Sequence, residues 1–194
     1  MKVLNSIGGT RLIPLQHMVP RESARILLKL EYENPTGSMK DRMALAMVEA
    51  AEADGRLRPG GSVVEYTGGS TGVSLAFVCA AKRIPLQIVT SDAFSREKRD
   101  HMRALGARLT LVASLAGGMT KALTLEMIET ARRLAMATAR RLACEEGVFA
   151  GTSTGGNVAV ALRVAARLGP DRTVVTVAVD SGMKYLSTAL YAQT

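Results

Sequence analysis

Apolar residues along the chain fall into short solid blocks separated by amphipathic stretches. ILLKLEYE (26–33), SVVEY (62–66), PLQIVT (85–90), ARLTLV (107–112) and TVVTVAV (173–179) are rich in branched residues and bounded by turn residues, so they read as strands. Between them lie segments with helical spacing. MKDRMALAMVEAAEADG (39–55) ends at Gly55, a normal helix stop, and VSLAFVCAAKR (73–83) follows the second strand. SREKRDHMRALG (95–106) closes on glycine, a long helix runs from Thr120 to about Glu146, and another runs from Val158 to Leu168. VFAGTSTGGN (148–157) reads as a strand entering a glycine turn. Strands that alternate with helices, and are continuously apolar, predict an α/β fold: parallel sheets with helices on both faces.

In such folds ligands bind where the carboxyl end of a strand turns into a helix, because unpaired backbone N–H groups point outward there. Three turns have this chemistry: NPTGSMK (34–40), TGGSTG (67–72) and GTSTGG (151–156). Each combines glycines, which admit a ligand close to the backbone, with hydroxyls that donate hydrogen bonds. An anionic small molecule suits all three, although a lone glycine turn is more often a tight connection. Dinucleotide binding is poorly supported, since Thr67 stands where GxGxxG needs its first glycine and no GxxxxGK[ST] loop exists.

Lys40 admits two readings. Ser38 and Asp41 have the S-x-x-D spacing of a capping box, which predicts a helix beginning at Ser38 with Lys40 in its first turn. The positive pole of a helix disfavours an ammonium, as does burial, so the position favours a neutral amine able to attack a carbonyl and form a Schiff base. Alternatively Lys40 bends into solvent at a cost of a few tenths of a kcal/mol. The residues alone leave both open.

Composition narrows the partners. The 194 residues suffice for one core, or two small lobes. No apolar run approaches the roughly 20 residues that span a bilayer, and MKVLNSIGG lacks a signal-like hydrophobic stretch, so a cytoplasmic protein without a membrane partner is expected. Cys79 and Cys144 have no CxxC partner and are expected to be buried free thiols, and His17 and His101 form no metal-ligand spacing, so no metal is expected. The net charge of +8 raises the question of nucleic acid. Its arginines share segments with acids or follow helical spacing, and four tyrosines, three phenylalanines and no tryptophan leave little to stack on bases, so specific nucleic-acid binding is not expected.

ENPTGSMKDR (33–42) resembles the lysine motif of the cysteine synthase and cystathionine β-synthase group, pyridoxal-phosphate (PLP) enzymes of fold type II. SIGGTRLIPL (6–15) resembles the family's opening, VVEYTGGSTGVSLA (63–76) its asparagine loop, and SDAFSREKRDHMRALGA (91–107) the helix after it. EEGVFAGTSTGGN (145–157) and VDSGMKYLSTAL (179–190) resemble its closing elements. The resemblance covers nearly the whole chain in order, and implies a smaller α/β domain at 36–134, with 1–35 and 135–194 the remnant of a larger cofactor-binding domain.

Carried over residue by residue, the resemblance implies that Lys40 forms the internal aldimine with PLP and then shuttles the α-proton of an amino-acid substrate. Thr67, Gly68 and Thr71 would hold the substrate carboxylate. Ser70 replaces the family's usual asparagine at the cofactor's 3′ oxygen, with a shorter reach. Ser153 matches the serine facing the pyridine nitrogen, where a hydroxyl suits β-elimination and replacement. Met119 and the segment after Gly117 are expected to pack in the core or to line the second-substrate side. A homodimer is the usual family assembly.

One element of the family pattern is absent: no separate GTGGT-like phosphate loop occurs in the sequence. The region that should carry it is a single helical run, ETARRLAMATARRLACEEG (129–147), in which ARRLA occurs at 131–135 and again at 139–143. This marks the join where an internal segment of the larger domain is missing. Backbone N–H bonds to a phosphate contribute roughly 1.5–3 kcal/mol each, so the loss bears directly on cofactor affinity. GTSTGG, glycine-rich and at a helix start, could stand in as a cradle only by leaving its own assigned role. Lost strands would also leave sheet edges unpaired. The expected activity is β-replacement, O-acetylserine plus sulfide giving cysteine plus acetate; the alternative is an inactive homologue retained as a binding or oligomerisation module.

Overall fold

The computed structural model describes residues 2–92, 94–112 and 122–192. In chain order its strands and α-helices are β1 (Leu12–Pro14), β2 (Arg25–Leu30), α1 (Lys40–Ala53), β3 (Val63–Tyr66), α2 (Ser70–Lys82), β4 (Leu86–Ser91), α3 (Arg96–Ala104), β5 (Arg108–Val112), α4 (Ala122–Glu146), α5 (Thr152–Leu168) and β6 (Thr173–Ala178). No helix among the described residues is long and apolar enough to cross a membrane. The chain divides into two compact units, Met1–Gly9 with Asn34–Ala116, and Thr10–Glu33 with Gly117–Thr194.

The first unit is built on the parallel sheet β3-β4-β5, in which Val63 pairs with Leu86 and Gln87 with Arg108. Side chains on one face of these strands, Leu86 and Ile88 among them, meet Val73, Val78 and Met102 from α2 and α3, while Ala44 and Val48 of α1 add to the same core. Burying each large apolar side chain stabilises the unit by roughly 1.5–3 kcal/mol. Helix α1 contains only residues of good helix propensity apart from Asp41 and Val48, and it ends where Gly55 takes φ 77, a left-handed conformation suited to glycine. Helix α2 ends on Arg83 at φ 56, where the Ile84 amide closes back onto the Cys79 carbonyl at 2.8 Å.

The second unit holds the sheet β1-β2-β6, antiparallel between β1 and β2 (Ile13 opposite Leu28) and parallel between β2 and β6 (Leu28 opposite Thr176). Ile26, Leu28, Leu142 and Val158 are fully buried in its core. Helices α4 and α5 pack closely at Gly155. The Glu146 carboxylate, at the end of α4, accepts the successive amides of Gln16, His17 and Met18, which anchors the chain just after β1.

Several sequence expectations change. VFA does not form a strand: Ala150 makes one isolated antiparallel bridge to Ser181, since an apolar run becomes a strand only beside a neighbour to pair with. GTSTGG is not a turn before a helix at Val158; α5 already begins at Thr152, with Gly151 as its N-cap and Thr152 to Gly156 inside it. Strand β2 stops at Leu30, and Glu31–Glu33 form a 3-10 turn. Cys144 is exposed rather than buried, because it lies on the outward face of α4, whereas Cys79 is buried. Thr120, Gly117 and Met119 lie outside the described residues.

Both sheets end on apolar edges among the described residues. Val64 on β3 is 65% exposed and Val175 on β6 is 61% exposed. Helix α5 also exposes Val160, Val164 and Leu168, spaced four apart on one stripe.

Candidate active site

Lys40 is the first residue of α1 and is half-buried. The turn before it is drawn tight by the Gly37 amide, which donates to the Asn34 carbonyl at 2.7 Å, with Gly37 at φ 69. The Asn34 side-chain oxygen accepts the Gly8 amide at 2.9 Å, tying the opening segment to the turn.

The capping box does not form as the spacing predicted. Ser38 accepts the Lys40 amide on its hydroxyl at 3.2 Å and the Asp41 amide on its carbonyl at 3.3 Å. The Asp41 carboxylate reaches further back, accepting the Thr36 amide at 2.8 Å and the Thr36 hydroxyl. The cause is the left-handed Gly37, which folds Thr36 over the helix start. Asp41 is completely buried, and so is Ser74 of α2, whose hydroxyl lies 3.2 Å from that of Thr36. The single Thr36 hydroxyl hydrogen goes to Asp41, so Ser74 is the donor in this contact.

Thr67, Gly68, Ser70 and Thr71 lie together in the same unit, at the end of β3 and the start of α2. The Thr67 amide donates to the Val89 carbonyl at 3.1 Å, and its hydroxyl accepts the Gly69 amide at 3.3 Å. No side chain caps α2: Gly69, its N-cap, supplies none, so the positive end of a 13-residue helix keeps N–H groups for an anion. Three neighbours from the following segment explain the glycines. A Cβ on Gly68 would sit 2.6 Å from the Phe94 ring, one on Gly69 2.9 Å from the Lys98 side chain, and one on Gly72 2.7 Å from the Met102 sulfur. Lys98 brings its amine over the start of α2, a cation beside an anion site that no local sequence signal identifies.

Ser153 lies in the second unit, in the first turn of α5, and is exposed. Beside it, Thr154 is fully buried and accepts the Val179 amide at 3.0 Å. Asp180 is 3% exposed; one carboxylate oxygen accepts the Tyr185 hydroxyl at 2.7 Å, and the other has no hydrogen-bond partner and faces Gly151, 2.5 Å from where a Cβ would stand. Burial first, then the Asp180 charge, pushes the Tyr185 phenol well above its ordinary value. The positive end of α5 therefore already has a carboxylate against it.

These residues fit part of PLP. Lys40, at the head of α1, has the amine that an aldehyde would need, and the start of α2 has no side-chain cap, which suits the carboxylate of an amino acid rather than the cofactor itself. GTSTGG, the remaining glycine-rich helix start among the described residues, does not fit the phosphate end, because the buried Asp180 carboxylate would repel a phosphate dianion there.

Residues 3–136 match the family model described as pyridoxal-phosphate dependent enzyme. A cysteine synthase of Staphylococcus aureus (strain Mu50) is 30% identical, with 96% of this chain and 95% of that one covered. That comparison runs over 295 residues, against 194 in this chain, so about a hundred positions of the relative have no counterpart here. The cysteine synthase B of Salmonella typhimurium is 40% identical over 136 residues, which is 70% of this chain and 42% of the relative. The crystal structure of an O-ureido-L-serine synthase superposes with a TM-score of 0.85 at 26% identity, covering 98% of this chain and 94% of that one. The lysine turn, the uncapped α2 loop and these similarities agree, and the chain belongs to the family of pyridoxal-phosphate dependent enzymes of fold type II.

Proposed function

We propose that this protein catalyses β-replacement on an activated serine such as O-acetylserine, with sulfide as the incoming nucleophile, acting in the cytoplasm as a homodimer. The observation that carries the reading is the uncapped start of α2 in the same unit as a lysine at the head of α1, both bound to the buried Thr36–Ser74 contact. The named activities of the relatives support it.

When bound, PLP supplies an aldehyde that captures amines and a ring that draws electrons from the substrate Cα. The chain's own residues then have separable tasks. Thr67, Gly68 and Thr71 bind the substrate carboxylate through backbone N–H groups and hydroxyls. The Lys40 amine would hold the cofactor and would move the proton at the substrate Cα. The family resemblance would give Ser70 the cofactor's 3′ oxygen and Ser153 the pyridine nitrogen as their partners. The exposed stripe of Val160, Val164 and Leu168 is of the kind that a second copy covers.

The test is cysteine formation from O-acetylserine and sulfide with added PLP, comparing the wild type with Lys40→Ala. Activity confined to the wild type supports the reading; activity unchanged in Lys40→Ala overturns it. A second reading, an inactive homologue serving as a binding or oligomerisation module, is favoured by one observation, the Asp180 carboxylate at GTSTGG, the remaining glycine-rich helix start among the described residues. Folded protein that takes up no PLP would select it.

A further inference from the structure

Asp41 is a fully buried carboxylate adjacent in sequence to Lys40, and its carboxylate bonds go back to Thr36, in the turn before the helix. It holds Thr36 by both amide and hydroxyl, and the Thr36 hydroxyl in turn receives the Ser74 hydroxyl from the second turn of α2. Ser74 lies one turn beyond Ser70 and Thr71, so the chain of bonds begins on the helix that seats the substrate carboxylate and ends on the helix that carries Lys40. All the participating oxygens are buried, which strengthens each bond and makes a missing member costly.

We propose that Asp41 is a positioning residue, and that the relay Ser74–Thr36–Asp41 fixes the register between the Lys40 turn and the start of α2. The inference rests on the reading of Lys40 as the reactive amine, but not on cofactor binding. Asp41 does not touch substrate. It acts through Thr36, which closes the turn on which Lys40 stands. Two features of the relay separate position from charge. Thr36→Val removes the hydroxyl and leaves the Asp41 charge in place, whereas Asp41→Asn removes the charge and keeps a side chain able to accept from the Thr36 amide. A positioning role requires both substitutions to alter the environment of Lys40, and Thr36→Ser to restore it.

The experiment is competitive acetylation of the cofactor-free protein with acetic anhydride across pH, read by peptide mass spectrometry, with Lys2 and Lys82 as internal references. The expected result is that Thr36→Val and Asp41→Asn each change the rate at Lys40 by about tenfold relative to the references, the scale of one buried hydrogen bond. Ser74→Ala should give a smaller change in the same direction, and Thr36→Ser the wild-type rate. A wild-type rate at Lys40 in Thr36→Val overturns the proposal, as does a change shared equally by Lys2 and Lys82, which a merely structural role would give. If Asp41→Asn does not fold, the Thr36 pair decides alone. Because no cofactor is used, a relay that behaves as expected in a protein showing no Lys40-dependent PLP spectrum sinks the proposed function and leaves this inference standing.

Discussion

A Cβ placed on Gly155 would lie 1.9 Å from the carbonyl oxygen of Ala135, so helices α4 and α5 touch backbone to backbone at that point. No side chain can move aside to relieve the overlap. Gly155→Ala is therefore expected to force the helices apart and destabilise the protein by about 3 kcal/mol, the upper part of the usual range for overpacking. For a chain of this size that lowers the melting temperature by roughly 6–12 °C. Thermal unfolding followed by circular dichroism checks this, and an unchanged midpoint would contradict the close crossing.

The two cysteines should behave oppositely. Burial, with a smaller contribution from Glu52, pushes the Cys79 thiol up to about 11, so it stays protonated and shielded at neutral pH, while Cys144 is exposed. A chromogenic disulfide reagent should titrate one thiol rapidly in native protein and a second only after denaturation. Cys144→Ser should abolish the rapid phase; its survival would place the reactive thiol at Cys79.

Alkaline stability should depend on Tyr185. Burial first, then Asp180, holds this phenol above the ordinary value of 10.0. The unfolded chain ionises near that value and the folded chain does not. The contribution is thus complete below about pH 10 and is lost as pH rises from there toward the higher folded value, by up to roughly 1.4 kcal/mol per pH unit. Tyr185→Phe should flatten the fall of the urea midpoint above about pH 10, and an identical slope in both proteins would count against the buried Asp180 contact.

Thr90 is completely buried at the end of β4, and its hydroxyl has no hydrogen-bond partner. Replacing it with valine keeps the shape and removes an unsatisfied polar group, a change worth about 1 kcal/mol in favour of the fold. Urea unfolding of Thr90→Val should show a raised midpoint at unchanged slope. A lowered midpoint would mean that the hydroxyl is engaged.

The alternation of strands and helices was legible because the apolar blocks of both sheets are continuous, and Lys40 stood out because it lies just behind a Pro-Thr-Gly-Ser turn. Other features were not legible, for identifiable reasons. The S-x-x-D spacing predicts a carboxylate reaching back, but the left-handed Gly37 decides that it reaches Thr36 rather than Ser38. VFA has the composition of a strand, yet pairing depends on a neighbour, and here only Ser181 is at hand. In α4 the alanines fall on every side, so nothing in the pattern revealed that Cys144 faces outward. Lys98 and Phe94 reach Gly69 and Gly68 from about 25 to 30 residues further along the chain, a proximity set by the crossover from α2 through β4 to α3.

The chain, about a hundred residues shorter than its S. aureus relative, is expected to hold PLP through Lys40. The most direct measurement is the visible absorption spectrum of folded protein incubated with PLP, recorded for the wild type and for Lys40→Ala, before and after adding O-acetylserine. The expected result is a protein-bound band that needs Lys40 and shifts on addition of the amino acid. A folded wild type with no such band, or one identical in Lys40→Ala, would contradict it.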